Sequence, residues 1–261
     1  MPTPQNNLAK RLKALHSPGN PLLLTNIWDA ISARAIAPLP TTHALATASA
    51  AVAASHALDD DDLTLPLNLA SIRGVAKIAA QHDKPLTVDF QDGYGDQLEE
   101  GVREVIRAGA VGINLEDFGR EVGGLYDVGT AQERIRRVLR VAEQEGVPDF
   151  VVNARTDALL VGKPLAEAIE RGKAYLQAGA HNVFVWGGSK RGGLMRAEVE
   201  EACKALEGRL NVSLKWVAGG LTVKELSVIG VARISVGPQL MMKTEGAIKE
   251  EADRIQGRAG A

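Results

Sequence analysis

Carboxylates, amides and one arginine stand where short apolar runs stop. Leu86–Phe90 runs into Gln91-Asp92-Gly93-Tyr94-Gly95, Val111–Leu115 into Glu116-Asp117, and Asp149–Val152 into Asn153-Ala154-Arg155-Thr156-Asp157. Asp89 and Glu116 are hard oxygen donors suited to Mg²⁺ held partly through water. Arg155 presents a rigid fork of donors matched to a carboxylate or phosphonate. Side chains two apart on a strand point the same way, so Thr87, Asp89 and Gln91 share a face, as do Asn114 and Glu116, and Asn153 and Arg155. Polar groups stacked toward one interior need partners, and a bound metal with an anionic ligand would supply them.

Each of these residues also has a purely structural use. Asp89 and Glu116 can pair with an arginine or cap a following helix, yet burying an unpaired carboxylate is costly, which favours the functional reading. Arg155 can close an internal ion pair with Asp157 or Glu116, or bind an acidic substrate. Asp92 precedes Gly93 and fits either a metal site or an ordinary turn. Tyr94 fits proton transfer or packing beside that turn. Trp28, after the first apolar run, lines a pocket or packs, and Asp59–Asp62 reads as a solvated loop. The five histidines show no HxH or HExxH spacing, which argues against a histidine-bound metal. Cys203 shares a helical face with Val199, Ala202 and Leu206 and reads as a small buried side chain.

The elements that must position these groups alternate. Strand-like runs are marked at Leu22–Thr25, Ala44–Thr47, Leu86–Phe90, Val111–Leu115, Phe150–Asn153, Asn182–Val185, Ser213–Val217 and Ala232–Val236. Between them lie helical stripes, such as Leu98, Val102, Val105 and Ile106. Thr130-Ala-Gln-Glu133 and Thr222-Val-Lys-Glu225 have capping-box spacing and predict helix starts. Gly109 and Gly230 stand where a helix end wants a left-handed residue. Alternation without tight hairpins predicts a parallel sheet, and eight units without a Gly-rich phosphate turn predict a (β/α)₈ TIM-type barrel. Apolar strands turning polar at their C-terminal ends are what such a barrel uses to build its catalytic mouth.

At 261 residues, with no Pro/Ser-rich linker, the chain is expected to form a single barrel domain, residues 1–261. Hydrophobic residues at 45%, charged residues at 24% and a net charge of −2 give no reason to expect nucleic acid or an anionic membrane as partner. No run approaches the roughly 18 apolar residues of a membrane span, and the N-terminus lacks a signal-peptide core. A cytoplasmic enzyme is the expectation, with an organellar address left open.

Taken together, these stretches resemble the isocitrate lyase/phosphoenolpyruvate mutase superfamily. The resemblance is carried by Asn26–Ala33, Thr47–Ser55, Val88-Asp-Phe-Gln-Asp-Gly-Tyr-Gly95, Gly112-Ile-Asn-Leu-Glu-Asp117, Asn153-Ala-Arg-Thr-Asp157, Ala178-Gly-Ala180 and Gly230-Val-Ala-Arg-Ile-Ser-Val-Gly-Pro238. It implies a (β/α)₈ barrel, Mg²⁺, and chemistry through a pyruvate-like enolate on a small acid. By position, Asp89 matches the metal-binding aspartate, Glu116 the metal-water glutamate, and Asp60 the aspartate that reaches the metal water. Arg155 matches the substrate-binding arginine, and Ser49 and Ala50 the segment whose amides hold the substrate carboxylate. Asp92 is a further metal candidate, Arg155, Asp60 and Tyr94 are catalytic candidates, and Trp28, Asn153 and Trp186 complete the substrate-binding set.

The departures are equally specific. The family's second acid, two positions after the first, is replaced by Gln91, with an acid one residue later at Asp92. The loop Phe118-Gly-Arg-Glu-Val-Gly-Gly-Leu-Tyr126 lacks the cysteine that isocitrate and methylisocitrate cleavage need, and the lysine kept by mutases and phosphonopyruvate hydrolases. Arg120 and Glu121 remain as loop-side proton-transfer candidates. Trp186 stands where many members carry a glutamate. These features point to a Mg²⁺-dependent C–C lyase or decarboxylase acting on a small α-keto or α-hydroxy polycarboxylate. The alternatives are P–C chemistry (mutase or phosphonopyruvate hydrolase) and a catalytically lapsed barrel kept for ligand binding or assembly, a reading sustained by Gln91. The resemblance also implies a homodimer or homotetramer exchanging C-terminal helices, for which Met241, Met242, Ala247 and Ile248 supply an apolar stripe.

Overall fold

Strand–helix alternation closes on itself as predicted. The computed structural model describes residues 3–188 and 191–257. Eight parallel strands form the barrel: β1 (Leu22–Leu24), β2 (Leu45–Ala46), β3 (Leu86–Asp89), β4 (Gly112–Glu116), β5 (Val151–Thr156), β6 (Asn182–Val185), β7 (Leu210–Ser213) and β8 (Arg233–Ser235). Neighbours in sequence pair in order from β2 to β8, and β8 returns to β1 with Arg233 opposite Leu22. A bridge between Ile27 and Thr47 joins the remaining seam.

Helices cover the strands because their apolar stripes have nowhere else to go. In the helix Leu98–Ala108 the predicted face of Leu98, Val102, Val105 and Ile106 is buried, and the helix stops at Gly109 with φ of 111°. That backbone is left-handed, which an L side chain adopts only under strain. The helix Pro4–Leu15 sits under the barrel, its Asn6 exchanging hydrogen bonds with Asp149 just before β5. The C-terminal strand ends are left as the mouth.

Two expectations are corrected. The seventh strand is Leu210–Ser213, not Ser213–Val217. Leu210 and Val212 are buried against the helices while Trp216 and Val217 are exposed, and Asn211, polar but facing the barrel interior, disguised the run. The helix expected to start at Thr130 begins at Val128, capped by Asp127, whose carboxylate accepts from the Thr130 amide at 3.0 Å. The box at Thr222 forms as predicted, with Glu225 returning to the Thr222 amide.

Among the described residues no helix is long and apolar enough to cross a membrane. The segment after β4 folds into a small antiparallel hairpin, Phe118–Gly119 against Gly124–Leu125. The last helix, Gln239–Ile255, buries none of its residues and exposes Met242, Ile248 and Ile255.

Candidate active site

Four strands contribute a polar rung. Asp89, Asn114, Asn153 and Asn182 are successive register partners across β3 to β6. Asn182 Nδ2 donates to Asn153 Oδ1 at 3.1 Å, Asn153 Nδ2 to Asn114 Oδ1 at 2.8 Å, and Asn114 Nδ2 to Asp89 Oδ1 at 3.0 Å. The amides all point their donors toward the aspartate, so each polarises the next. The Asn182 Oδ1 atom at the far end is buried without a partner. The other Asp89 oxygen accepts from the Ser49 amide and hydroxyl, both at 3.0 Å.

Arg155 is clamped on three sides. Its Nε donates to Asp157 Oδ1 at 2.8 Å, its Nη1 donates to Glu116 Oε1 at 2.7 Å, and its plane lies 4.0 Å from the Trp186 ring centroid. Burial works against its charge, but Asp157 and Glu116 outweigh that and hold its pKa above the ordinary value. One guanidinium cannot neutralise two enclosed carboxylates. Burial therefore raises Glu116 well above the ordinary range, with Arg155 opposing, and raises Asp157 in the same way. Among the described residues Asp157 Oδ2 is buried with no hydrogen-bond partner.

Asp60, from the acidic loop, is brought beside Asp89. Burial first, and then the Asp89 charge, raise its pKa. Gln91, fully enclosed with a left-handed φ of 49°, donates from Nε2 to the Asp60 carbonyl at 2.8 Å and to Asp60 Oδ1 at 2.9 Å. Arg120 Nη2 supports the same carbonyl at 3.0 Å.

Asp60, Asp89 and Arg155 line one cavity of about 320 Å³ at the mouth, with Ser49, Ala50 and Trp186. Several expected residues take other places. Asp92 accepts from the amides of Tyr94 and Arg120, both at 3.0 Å, and holds the turn rather than facing the cavity. The Tyr94 hydroxyl accepts from Asn68 at 2.8 Å outside that cavity, its pKa raised by burial. Trp28 packs with Val52, Ala53 and Leu63. Glu116 stands behind Arg155 and steadies it. Glu121 accepts from the Tyr126 hydroxyl at 3.0 Å.

Among the described residues no group of three or more His, Cys, Asp and Glu side chains forms a ready metal cage. Mg²⁺ seldom uses one: it takes one or two carboxylates and fills its octahedron with water and substrate oxygens. Asp89 and Asp60, two acids facing one cavity, with the Asp89 charge raising the Asp60 pKa, fit that demand.

Sequence reading missed three interior residues. Asn182 and Arg233 stand in the sequence only as parts of strand runs and Asn211 falls outside every marked run, yet all three are buried in the barrel interior, and Asn211 and Arg233 line the cavity. An arginine inside an apolar strand was the available signal.

The chain is similar to known proteins along most of its length. The profile of the phosphoenolpyruvate phosphomutase family matches residues 12–256. The Mycobacterium tuberculosis protein Rv1998c is 31% identical over 226 residues, covering 85% of this chain and 80% of the relative. The 2,3-dimethylmalate lyase of Eubacterium barkeri is 29% identical over 187 residues, 69% of this chain and 63% of that enzyme. A crystal structure from Burkholderia cenocepacia J2315, of a protein provisionally named a phosphonomutase, superposes with a TM-score of 0.84 at 34% identity, covering 97% of this chain and 99% of its own.

Proposed function

Because the chain belongs to the isocitrate lyase/phosphoenolpyruvate mutase superfamily, we propose that it is a Mg²⁺-dependent C–C lyase or decarboxylase acting on a small α-keto or α-hydroxy polycarboxylate. The observation that carries this reading is the shared cavity, where two acids and a clamped arginine meet at the barrel mouth. Asp89, with Asp60 acting through water, would hold the metal. When bound, Mg²⁺ supplies stabilisation of negative charge on the substrate's ketone oxygen.

The chain's own residues do the rest. Arg155 cannot swing, because Glu116, Asp157 and Trp186 fix its plane, so its free donors orient a carboxylate without loss of side-chain entropy. Ser49 spends its amide and hydroxyl on Asp89, which leaves the Ala50 amide as the nearer donor for the same carboxylate. Trp186 covers the cavity wall and excludes water. In a keto acid the bond between the carbon next to the ketone and its carboxylate breaks, the electron pair passes to the ketone oxygen as an enolate, and CO₂ departs. In a hydroxy acid the hydroxyl gives up its proton, the bond from its carbon to the next breaks, the electron pair passes to the carboxylate on that next carbon, and the hydroxyl-bearing fragment departs as a carbonyl compound. Protonation at carbon completes the reaction. Decarboxylation makes the lightest demand on a loop that carries neither cysteine nor lysine.

The cavity-facing acids also weigh against a lapsed barrel, since Gln91 ties Asp60 in place rather than removing it. The exposed apolar face of the last helix supports a homodimer or homotetramer.

The deciding experiment is Mg²⁺-dependent turnover of keto and hydroxy acids, oxaloacetate first and phosphonopyruvate included, with all products followed by NMR. Turnover lost in both Asp89→Ala and Arg155→Ala supports the reading. Release of phosphate or phosphonate rearrangement transfers the assignment to P–C chemistry. Silence across the panel, with no Mg²⁺-dependent rise in thermal stability, leaves a lapsed barrel.

A further inference from the structure

Among the described residues Arg233 has no ion-pair or hydrogen-bond partner for its side chain inside the barrel. It is 3% exposed, and its Nε and Nη1 atoms are buried with no hydrogen-bond acceptor. No described residue forms an ion pair with it. Burial lowers its pKa to about 10, with the Asp89 charge opposing, so it is still a cation at neutral pH. His16 offers no countercharge: burial, and then Arg233 itself, lower its pKa to about 3. An enclosed and uncompensated cation is expensive, and a fold keeps one where a ligand completes it.

Its position says what that ligand is. Arg155, Phe184, Asn211 and Arg233 are successive register partners across β5 to β8. Arg155 is the last residue but one of its strand, and Arg233 is the first of its own. The line therefore descends from mouth to throat, and both arginines line the same cavity. Asn182 Oδ1 and Thr87 Oγ1, also buried and unpartnered, mark the same interior as unfinished.

We infer that Arg233 is a second anion-binding group, which makes the site selective for acids carrying two separated anionic groups, one held at the mouth by Arg155 and the other in the throat by Arg233. The inference rests on reading this cavity as the substrate site, and assigns to Arg233 the second anionic group of the proposed polycarboxylate.

The test uses acids that are not turned over, so it is independent of the reaction. Calorimetric binding of succinate and of butyrate, with Mg²⁺ present, is compared for the wild type, Arg233→Met and Arg233→Lys. The wild type is expected to prefer succinate by on the order of 30-fold or more, a factor typical of pairing one buried charge. Arg233→Met is expected to abolish that preference while butyrate still binds, and Arg233→Lys to keep part of it. A preference unchanged in both variants would overturn the inference. So would equal loss of both acids, or equal binding of both to the wild type, because buried water would then be what satisfies Arg233. Turnover with an unchanged preference sinks this inference alone. A silent turnover panel, with the succinate preference present and lost in Arg233→Met, sinks only the proposed reaction.

Discussion

Gln91 holds Asp60 by both its carbonyl and its carboxylate, with Nε2 at 2.8 and 2.9 Å from the two oxygens. An amide stands where the family resemblance leads one to expect a second acid, and it donates to an acid from another loop. The acidic side of the cavity is thus formed by Asp89 and Asp60, with Gln91 as the tie between loop and strand.

Replacing that tie should expose the electrostatics. Gln91→Glu puts a third carboxylate against Asp60 and removes both hydrogen bonds, costing about 2–3 kcal/mol without a cation. Thermal denaturation in EDTA should show the loss, and millimolar Mg²⁺ should restore more stability to the variant than to the wild type. Equal losses with and without Mg²⁺ would mean that no cation is taken between these acids.

Glu116 predicts a pH dependence. Its pKa is raised in the folded state, so the folded protein binds more protons than the unfolded chain above the ordinary glutamate range. Its stabilising contribution is complete below the unfolded pKa and is lost as pH rises through the folded one. Denaturant midpoints measured from acid to mildly alkaline pH should decline for the wild type, and Glu116→Gln should flatten the decline. An unchanged slope would show that Arg155 keeps Glu116 ionised throughout.

Behind the site, Tyr175 donates to buried Asp117 at 2.6 Å, while Asp117 also accepts from the Asp157 amide at 2.8 Å. Tyr175→Phe removes a charge-assisted hydrogen bond and should cost about 2 kcal/mol. The denaturant midpoint should fall. If the fall is accompanied by weaker carboxylate binding, this network also positions Arg155 through Asp157.

The last helix predicts assembly. Ile248 is 66% exposed and Met242 59%, on a helix that packs no side chain fully. Light scattering should give a dimer or tetramer, and Ile248→Asp should lower the mass. A monomeric wild type would exclude a partner over this face.

Much of the barrel was legible because two periodicities are local properties. Strand runs and helix stripes are written within ten residues of chain, as are the cap at Thr222 and the stop at Gly109. The polar strand ends likewise marked Asp89, Glu116 and Arg155 as neighbours at one end of the barrel. What sequence could not decide was which way each polar group faces. Asp92 and Gln91 are adjacent, yet a left-handed residue at Gln91 and the amides of Tyr94 and Arg120 sent Asp92 into a turn, while the Gln91 amide turned to Asp60. Arg233 and Asn182 were hidden for the same reason: that Arg233 Nε and Nη1 and Asn182 Oδ1 lack partners among the described residues is decided only once the barrel closes. Periodicity is set by neighbours along the chain, whereas charge compensation is set by neighbours in space, and only the closed barrel brings those together.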